Sequence, residues 1–310
     1  MFDIVSKRWW MFIISGILIV ISIISLATPF GRLTLATEFS AGSRMRITFT
    51  EAVTQTELKD ELIALGYPTA TIQTEITTTG EQGDFIVRTN VLTDDEKNAL
   101  VTGLQDRFGE LVVNEFSNVS AEVATQTLRT VVIAVVVAAV FMLLYIVWAF
   151  RKMPHPFRYG TTAIVALLHD ILITIGIFSI FGGILQWQVD LMFVTGVLTV
   201  LGFSINNTII IFDRIRENTL NGVSPKYEVI VNDSLLETLS RTINTSLTVL
   251  FAVIALILFV GASIQNFAVV LLSGIIIGMF DSIFVAPMLL VVWEKREWGK
   301  FIGRGTVVKI

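Results

Sequence analysis

Four places in this 310-residue chain set ionisable or strongly polar side chains inside long apolar runs. Asp170 follows His169 in one run, Asn206 and Asn207 are adjacent in another, Arg241 opens a third, and Asp281 stands among Ile, Phe and Gly in a fourth. Such groups are costly at membrane depth and mark ion pathways, proton relays or buried polar contacts. Asp170 shares an i, i+4 stripe with Thr162, Ala166 and Thr174, which suits either a helix-packing seam with a hydrogen-bonded carboxyl or a proton relay. His169 is turned about 100° around the helix from Asp170, so it reads as a packing residue. Asp281 lies beside the ridge Gly274, Gly278, Ser282, whose four-residue spacing of small side chains is a helix-contact pattern, so its carboxyl should face protein. An unpaired carboxyl there stays protonated near neutral pH, and a neighbouring Arg241 or water would let it load and release a proton. Arg241 either snorkels to the interface or supplies that fixed positive charge. Asn206 and Asn207 form interhelical hydrogen bonds or line a hydrated polar pathway, but an amide cannot carry a proton.

No arrangement in the chain suits covalent catalysis. Cysteine is absent and the two histidines are His155, in a Pro-His-Pro loop, and His169. No nucleophile–base or metal-ligand spacing appears, so the chain is expected to be neither an enzyme nor the holder of a metal or cofactor. The formal net charge of −4 comes without a basic tract, which argues against nucleic acid.

The elements that carry these residues are membrane spans. Hydrophobic residues make up 54% of the chain, charged residues 15%, and mean hydropathy is +0.76. A soluble domain carries about 25% charged residues. A bilayer core needs about 20 apolar residues per helix, and six runs qualify: 9–27, 130–150, 160–181, 191–212, 242–260 and 267–293. The loops holding Lys7 and Arg8, Arg151 to Arg158, Arg214 to Arg241, and the tail from Lys295 to Lys309 are rich in Lys and Arg. The short loops near 182–190 and 261–266 hold neither, so both termini are expected in the cytoplasm. The first run is read as a retained helix rather than a signal peptide. The segment 213–241 is expected to be a cytoplasmic connector, with an interfacial amphipathic helix from Pro225 or a partner-docking surface. The expected units are 1–28, 29–129, 130–293 and the tail 294–310.

Residues 29–129 are polar, with 15 acidic against 8 basic side chains. Alternation such as Met45, Ile47, Phe49 places strands at 44–50, 71–76, 84–89 and 111–119. Thr54 with Glu57 and Thr93 with Glu96 are capping-box signatures that open helices at 54–65 and 93–108. The order βαββαβ is the ferredoxin-like split motif. The fold class is thus a polytopic α-helical membrane protein with six spans and one ferredoxin-like α+β extracytoplasmic domain.

From about Thr125 onward the chain resembles the SecF family of bacterial protein export. The resemblance rests on Ala166-Leu-Leu-His-Asp-Ile-Leu-Ile-Thr, on Val189-Asp-Leu, on Gly202-Phe-Ser-Ile-Asn-Asn-Thr followed by Ile-Ile-Ile-Phe and the motif Asp213, Arg214, Ile215, Arg216, Glu217, Asn218, on Ser234 to Ser246, and on Gly278 to Ala286. It implies an RND-type half that pairs with a SecD-like six-span subunit. It also implies association with the SecYEG channel in the bacterial cytoplasmic membrane, and use of a proton or sodium gradient to draw polypeptide outward. Two departures stand out. The family pattern Asp-Phe-Thr-Gly-Gly reads Glu38, Phe39, Ser40, Ala41, Gly42 here, and the family Asp at position 207 is Asn207. The family more often has a small residue such as Ser where this chain has Asp281. One expectation is therefore that the carboxylate has moved, with Asp281 and Arg241 as the titrating pair. The rivals are a scaffold subunit without an ion site, and half of an RND-type exporter of lipids or small molecules.

Overall fold

The computed structural model describes residues 3–28, 33–74, 84–185, 187–259 and 264–298. In chain order the elements are α1 (Arg8–Ala27), β1 (Thr34–Leu35), α2 (Thr37–Ser40), β2 (Gly42–Phe49), α3 (Gln55–Ala64), β3 (Thr71–Thr74), β4 (Phe85–Thr89), α4 (Asp94–Phe108) and β5 (Leu111–Val119). Then follow α5 (Ala121–Ala149), α6 (Pro156–Leu185), β6 (Gln188–Val189), α7 (Leu191–Leu220), α8 (Tyr227–Phe259), α9 (Gln265–Phe284) and α10 (Ala286–Glu294).

Among the described residues six helical segments are long and apolar enough to cross a membrane. Apolar faces of α1 and α5, such as Ile13, Ile17, Val136 and Phe141, lie outside the bundle, whereas α7 and α9 form its centre. Small residues let those two helices meet. A Cβ on Gly274 would stand 2.2 Å from Val200 Cγ2, and one on Gly278 would stand 3.0 Å from Ser204 Cβ. Serines play the same part on α1, where Ser25 Oγ donates to Ser179 Oγ of α6 at 3.0 Å.

Two features differ from the sequence expectations. The stretch 213–241 holds no separate interfacial helix, because α7 runs on to Leu220 and α8 begins at Tyr227 and continues straight into the fifth span. Polar residues there are still compatible with helix, so both helices extend past their apolar stretches. The sixth span is broken at Val285 (φ −107°, ψ −56°) into α9 and α10. Pro287 lacks a backbone N–H, fits the first turn of a new helix and cannot continue the old one.

The α+β domain carries a four-stranded sheet in the order β3-β4-β2-β5, antiparallel throughout, the order of a ferredoxin-like split motif. Alternation along β2 sends Met45, Ile47 and Phe49 into a core with Leu58 and Leu62 of α3 and Leu100 and Leu104 of α4. Both helices open with a full capping box, at Thr54/Glu57 and Thr93/Glu96. The domain is stitched to the helical part by a second, two-stranded parallel pairing, β1 with β6, in which Thr34 faces Gln188 and Leu35 faces Val189. The Ala36 N–H donates to Val189 O at 2.9 Å just beyond it.

Candidate functional site at mid-membrane

The close packing of α6, α7 and α9 brings three ionisable side chains together in the interior. Asp170 and Asp281 are fully buried and His169 is 7% exposed. His169 Nδ1 lies 3.2 Å from Asp170 Oδ1 and 3.4 Å from Asp281 Oδ1, so one ring nitrogen stands between two carboxyl groups. Ser204 Oγ of α7 donates to Asp170 Oδ2 at 2.5 Å. Both oxygens of Asp281 and His169 Nε2 make no hydrogen bond among the described residues. Gly278 lets α9 approach the Ser204–Asp170 pair, since a Cβ there would crowd Ser204 Cβ at 3.0 Å and Oγ at 3.2 Å. His169 and Asp170 stand at hydrogen-bond distance for proton exchange, and Asp281 Oδ1 lies just beyond it. The ligand atoms of the three lie within 4.8 Å of one another, so one imidazole nitrogen and two carboxyl groups form a set that a zinc-like ion could use, whereas hard cations are less well served. Hard cations take six or more oxygen ligands, and beyond the carboxyl oxygens and Ser204 Oγ the surrounding helices have their carbonyls engaged in their own hydrogen bonds.

The placement of the remaining candidates overturns one expectation. Arg241 does not pair with Asp281. It is exposed on α8, beside Ile210 and Asp213 of α7 and Thr238 and Glu237 of its own helix, while the ionisable neighbours of Asp281 are His169 and Asp170. Arg241 sits at the start of the apolar part of α8 and is exposed, whereas Asp281 is buried in the bundle. Asn207 is fully buried and its Nδ2 donates to Ser246 Oγ of α8 at 3.3 Å, an interhelical bond. Asn206 faces outward. His169 is the residue that sequence reasoning missed: the rule that adjacent helical side chains diverge held no information about a third helix placing Asp281 within reach of the imidazole.

The run after Asn207 is a clasp between helices. Arg214 Nε and Nη1 meet Glu237 at 2.5 Å and Glu217 at 2.6 Å, and Arg216 Nη2 meets Asp213 at 2.7 Å. Arg216 Nη1 also donates to Ala149 O of α5, and Asn218 Nδ2 donates to Ser234 Oγ and Glu237 Oε2 of α8. Three motif residues, Arg214, Arg216 and Asn218, thereby hold α7 against α5 and α8 at one end, while Asp213 and Glu217 pair with the two arginines within α7.

At the other end, the segment Glu38 to Gly42 sits where the α+β domain meets the spans. Phe39 is buried, and Gly42 (φ +135°) could not carry a side chain, because a Cβ would lie 2.5 Å from Thr89 O. Nearby Arg88 is 6% exposed and donates to Gln73 Oε1 at 3.1 Å. Burial, then repulsion from Arg44, lowers its guanidinium to about 10, against attraction from Asp190 and Glu38. Burial likewise raises the carboxyl of Asp190, opposed by the Phe193 N–H it accepts as N-cap of α7 and by Asn266. One helix, α7, therefore carries the domain contact at Asp190, the Ser204 contact to Asp170, and the clasp.

The family described as Protein export membrane protein SecD/SecF, C-terminal, matches residues 100–296. A Protein translocase subunit SecF from Anaerolinea thermophila is 36% identical over 98% of both chains. The chain belongs to the SecF family. A second SecF, from Thermobaculum terrenum, is 38% identical over 98% of each chain. SecDF of Bacillus subtilis is 32% identical over 96% of this chain but 39% of its own length, so this chain corresponds to about two fifths of that longer relative. A crystal structure of SecDF from Thermus superposes with a TM-score of 0.83 at 28% identity, covering 95% of this chain and 39% of that one. The chain is therefore a multi-pass membrane protein and a protein translocase subunit with an extracytoplasmic α+β domain.

Proposed function

We propose that this chain is the SecF half of a two-part, ion-driven motor for Sec-dependent export. It pairs with a SecD-like subunit, works beside the SecYEG channel on translocating polypeptide, keeps both termini in the cytoplasm, and performs no covalent catalysis. The observation that carries the ion-coupled reading is the His169–Asp170–Asp281 cluster: three ionisable groups, two of them within 3.4 Å of the third's ring nitrogen, buried between α6 and α9. Burying them costs stability, and an ion passing through such a site is a reason for a chain to keep them. One elementary charge crossing 100 mV releases about 2.3 kcal/mol, enough to bias a conformational step.

Pairing is supported by a polar stripe on the outside of the bundle. Thr195, Thr199, Gly202 and Asn206 of α7 and Arg241, Asn244 and Thr248 of α8 are exposed. Amides and a guanidinium at or near membrane depth call for a protein partner or a hydrated cleft rather than acyl chains. The fused relatives, in which SecF-like sequence is continuous with a longer SecDF chain, name the partner class. The small acidic outer domain is less suited to an exporter of lipids, which needs a large apolar outer surface. Asn207 in place of the family carboxylate favours the second reading, a scaffold subunit whose partner carries the ion alone.

Pulse-chase maturation of a signal-bearing precursor tests the proposal, in cells that depend on this chain and a co-expressed SecD-like subunit. Export should slow severalfold on depletion of this chain, and an ionophore should abolish the difference. A depletion effect that persists undiminished after the gradient is collapsed would favour the scaffold.

A further inference from the structure

We propose that His169, Asp170 and Asp281 hold a single exchangeable proton, shared between the two carboxyl groups through the imidazole, and that the site takes a proton rather than a metal cation. This deepens the ion-coupled reading and rests on it for its purpose, though not for its chemistry. The location is also distinct from position 207, where this chain has an amide.

The argument starts from charge. Two ionised carboxylates with atoms within 4.8 Å of each other, in a site without water access, repel strongly at low dielectric. Compensation must come from the neighbouring elements, and they offer none. α7 contributes Ser204 and Asn207, α8 contributes Ser246 and Thr242, and α9 adds Ser282 beside Asp281. α1 faces α6 with Ser15, Ser22 and Ser25. The charged groups of α1 and α10 lie at helix ends, with Arg8 on Glu297 and Arg158 on Glu294, and those of α5, Glu122 and Arg129, are exposed. Among the described residues no Lys or Arg forms an ion pair with Asp170 or Asp281, so a proton is the counter-charge at hand.

The geometry then places it. Asp170 has the Ser204 hydroxyl as a donor, which favours its anion, whereas Asp281 has no donor on either oxygen. The resting proton therefore sits on Asp281. Transfer is balanced in two steps. The Asp281 O–H gives its proton to the Nδ1 lone pair of a neutral, Nε2-protonated imidazole, leaving carboxylate and imidazolium. The Nδ1–H then passes to Asp170 Oδ1, restoring neutral histidine and leaving Asp281 ionised. Atoms and net charge are the same before and after, and Nδ1 lies 3.4 Å and 3.2 Å from the two oxygens.

Infrared spectroscopy of the full chain in lipid nanodiscs tests this. At neutral pH the wild type should show a protonated carboxylic C=O band that shifts in D2O, survives added sodium or zinc chloride, and disappears in Asp281→Asn. Asp170→Asn should keep the band, because the proton then stays on Asp281. Absence of the band in the wild type, its survival in Asp281→Asn, or its removal by sodium or zinc would overturn the proposal. Asp281→Glu, which should retain a band at a shifted position, guards against a folding defect in the Asn variant. The export assay is separate: a band without any effect of these residues on export would overturn the ion-coupled reading and leave the proton site standing, and the reverse result would do the opposite.

Discussion

Ser204 of α7 and Asp170 of α6 are 34 residues apart in sequence and joined by a 2.5 Å hydrogen bond in the interior of the membrane part. The bond makes α7 sensitive to the charge on Asp170, since a hydroxyl donor is held by a carboxylate more tightly than by a carboxylic acid. The same helix is capped by Asp190 at the α+β domain, so a shift of α7 would be felt at both ends.

Replacing Ser204 with Ala should leave Asp170 Oδ2 without its donor and cost about 1–3 kcal/mol of stability. Thr at this position keeps a hydroxyl and should retain more of that stability. Chemical denaturation of the detergent-solubilised chain measures both.

The α7–α9 seam should be intolerant of bulk. A Cβ on Gly274 would penetrate Val200, so Gly274→Ala should destabilise by about 1–3 kcal/mol. Val200→Ala opens space opposite it, and the double variant should recover part of the loss. Strict additivity of the two changes in a double-mutant cycle would show that the helices are not in contact there.

How much of this was legible beforehand depended on the range of the interaction. Thr54 with Glu57 and Thr93 with Glu96 announced two helix starts because a capping box is complete within four residues, and both boxes are formed. The spans were legible from composition, and Met45, Ile47 and Phe49 from a period of two. The contact of His169 with Asp281 was hidden because it depends on how α6 and α9 pack against each other. The expected Arg241–Asp281 pair failed for the same reason: both residues are charged and near spans, yet their helices present them to opposite sides. Pro287 was the visible signal for the break at Val285, passed over inside an otherwise apolar run.

Ala41 holds φ +63° and ψ 158°, a region that an L side chain occupies at a cost of about 1–3 kcal/mol. Ala41→Gly should relieve that strain, offset by the greater freedom of glycine in the unfolded chain, for a net gain of about 1 kcal/mol. Hydrogen exchange across β2 reads the change. Gly42→Ala should act in the opposite sense, since its Cβ would meet the Thr89 carbonyl.

Acid should loosen the α+β domain through its helix starts. Hydrogen bonds from Thr54 and Thr93 hold Glu57 and Glu96 below their ordinary value of 4.5. A carboxylate lowered on folding contributes stability that is present above its unfolded value and lost as pH falls through the folded one. Protection of the first turns of α3 and α4 should therefore fall below about pH 4.5, with Glu57→Gln and Glu96→Gln flattening that acid limb.

Proton uptake by proteoliposomes holding this chain with a SecD-like partner, under an imposed pH gradient, tests the central claim most directly. Wild type should take up protons at a rate that Asp281→Asn abolishes and Arg241→Gln leaves largely intact, because the interior cluster lacks the arginine. Uptake undiminished by Asp281→Asn would contradict the account.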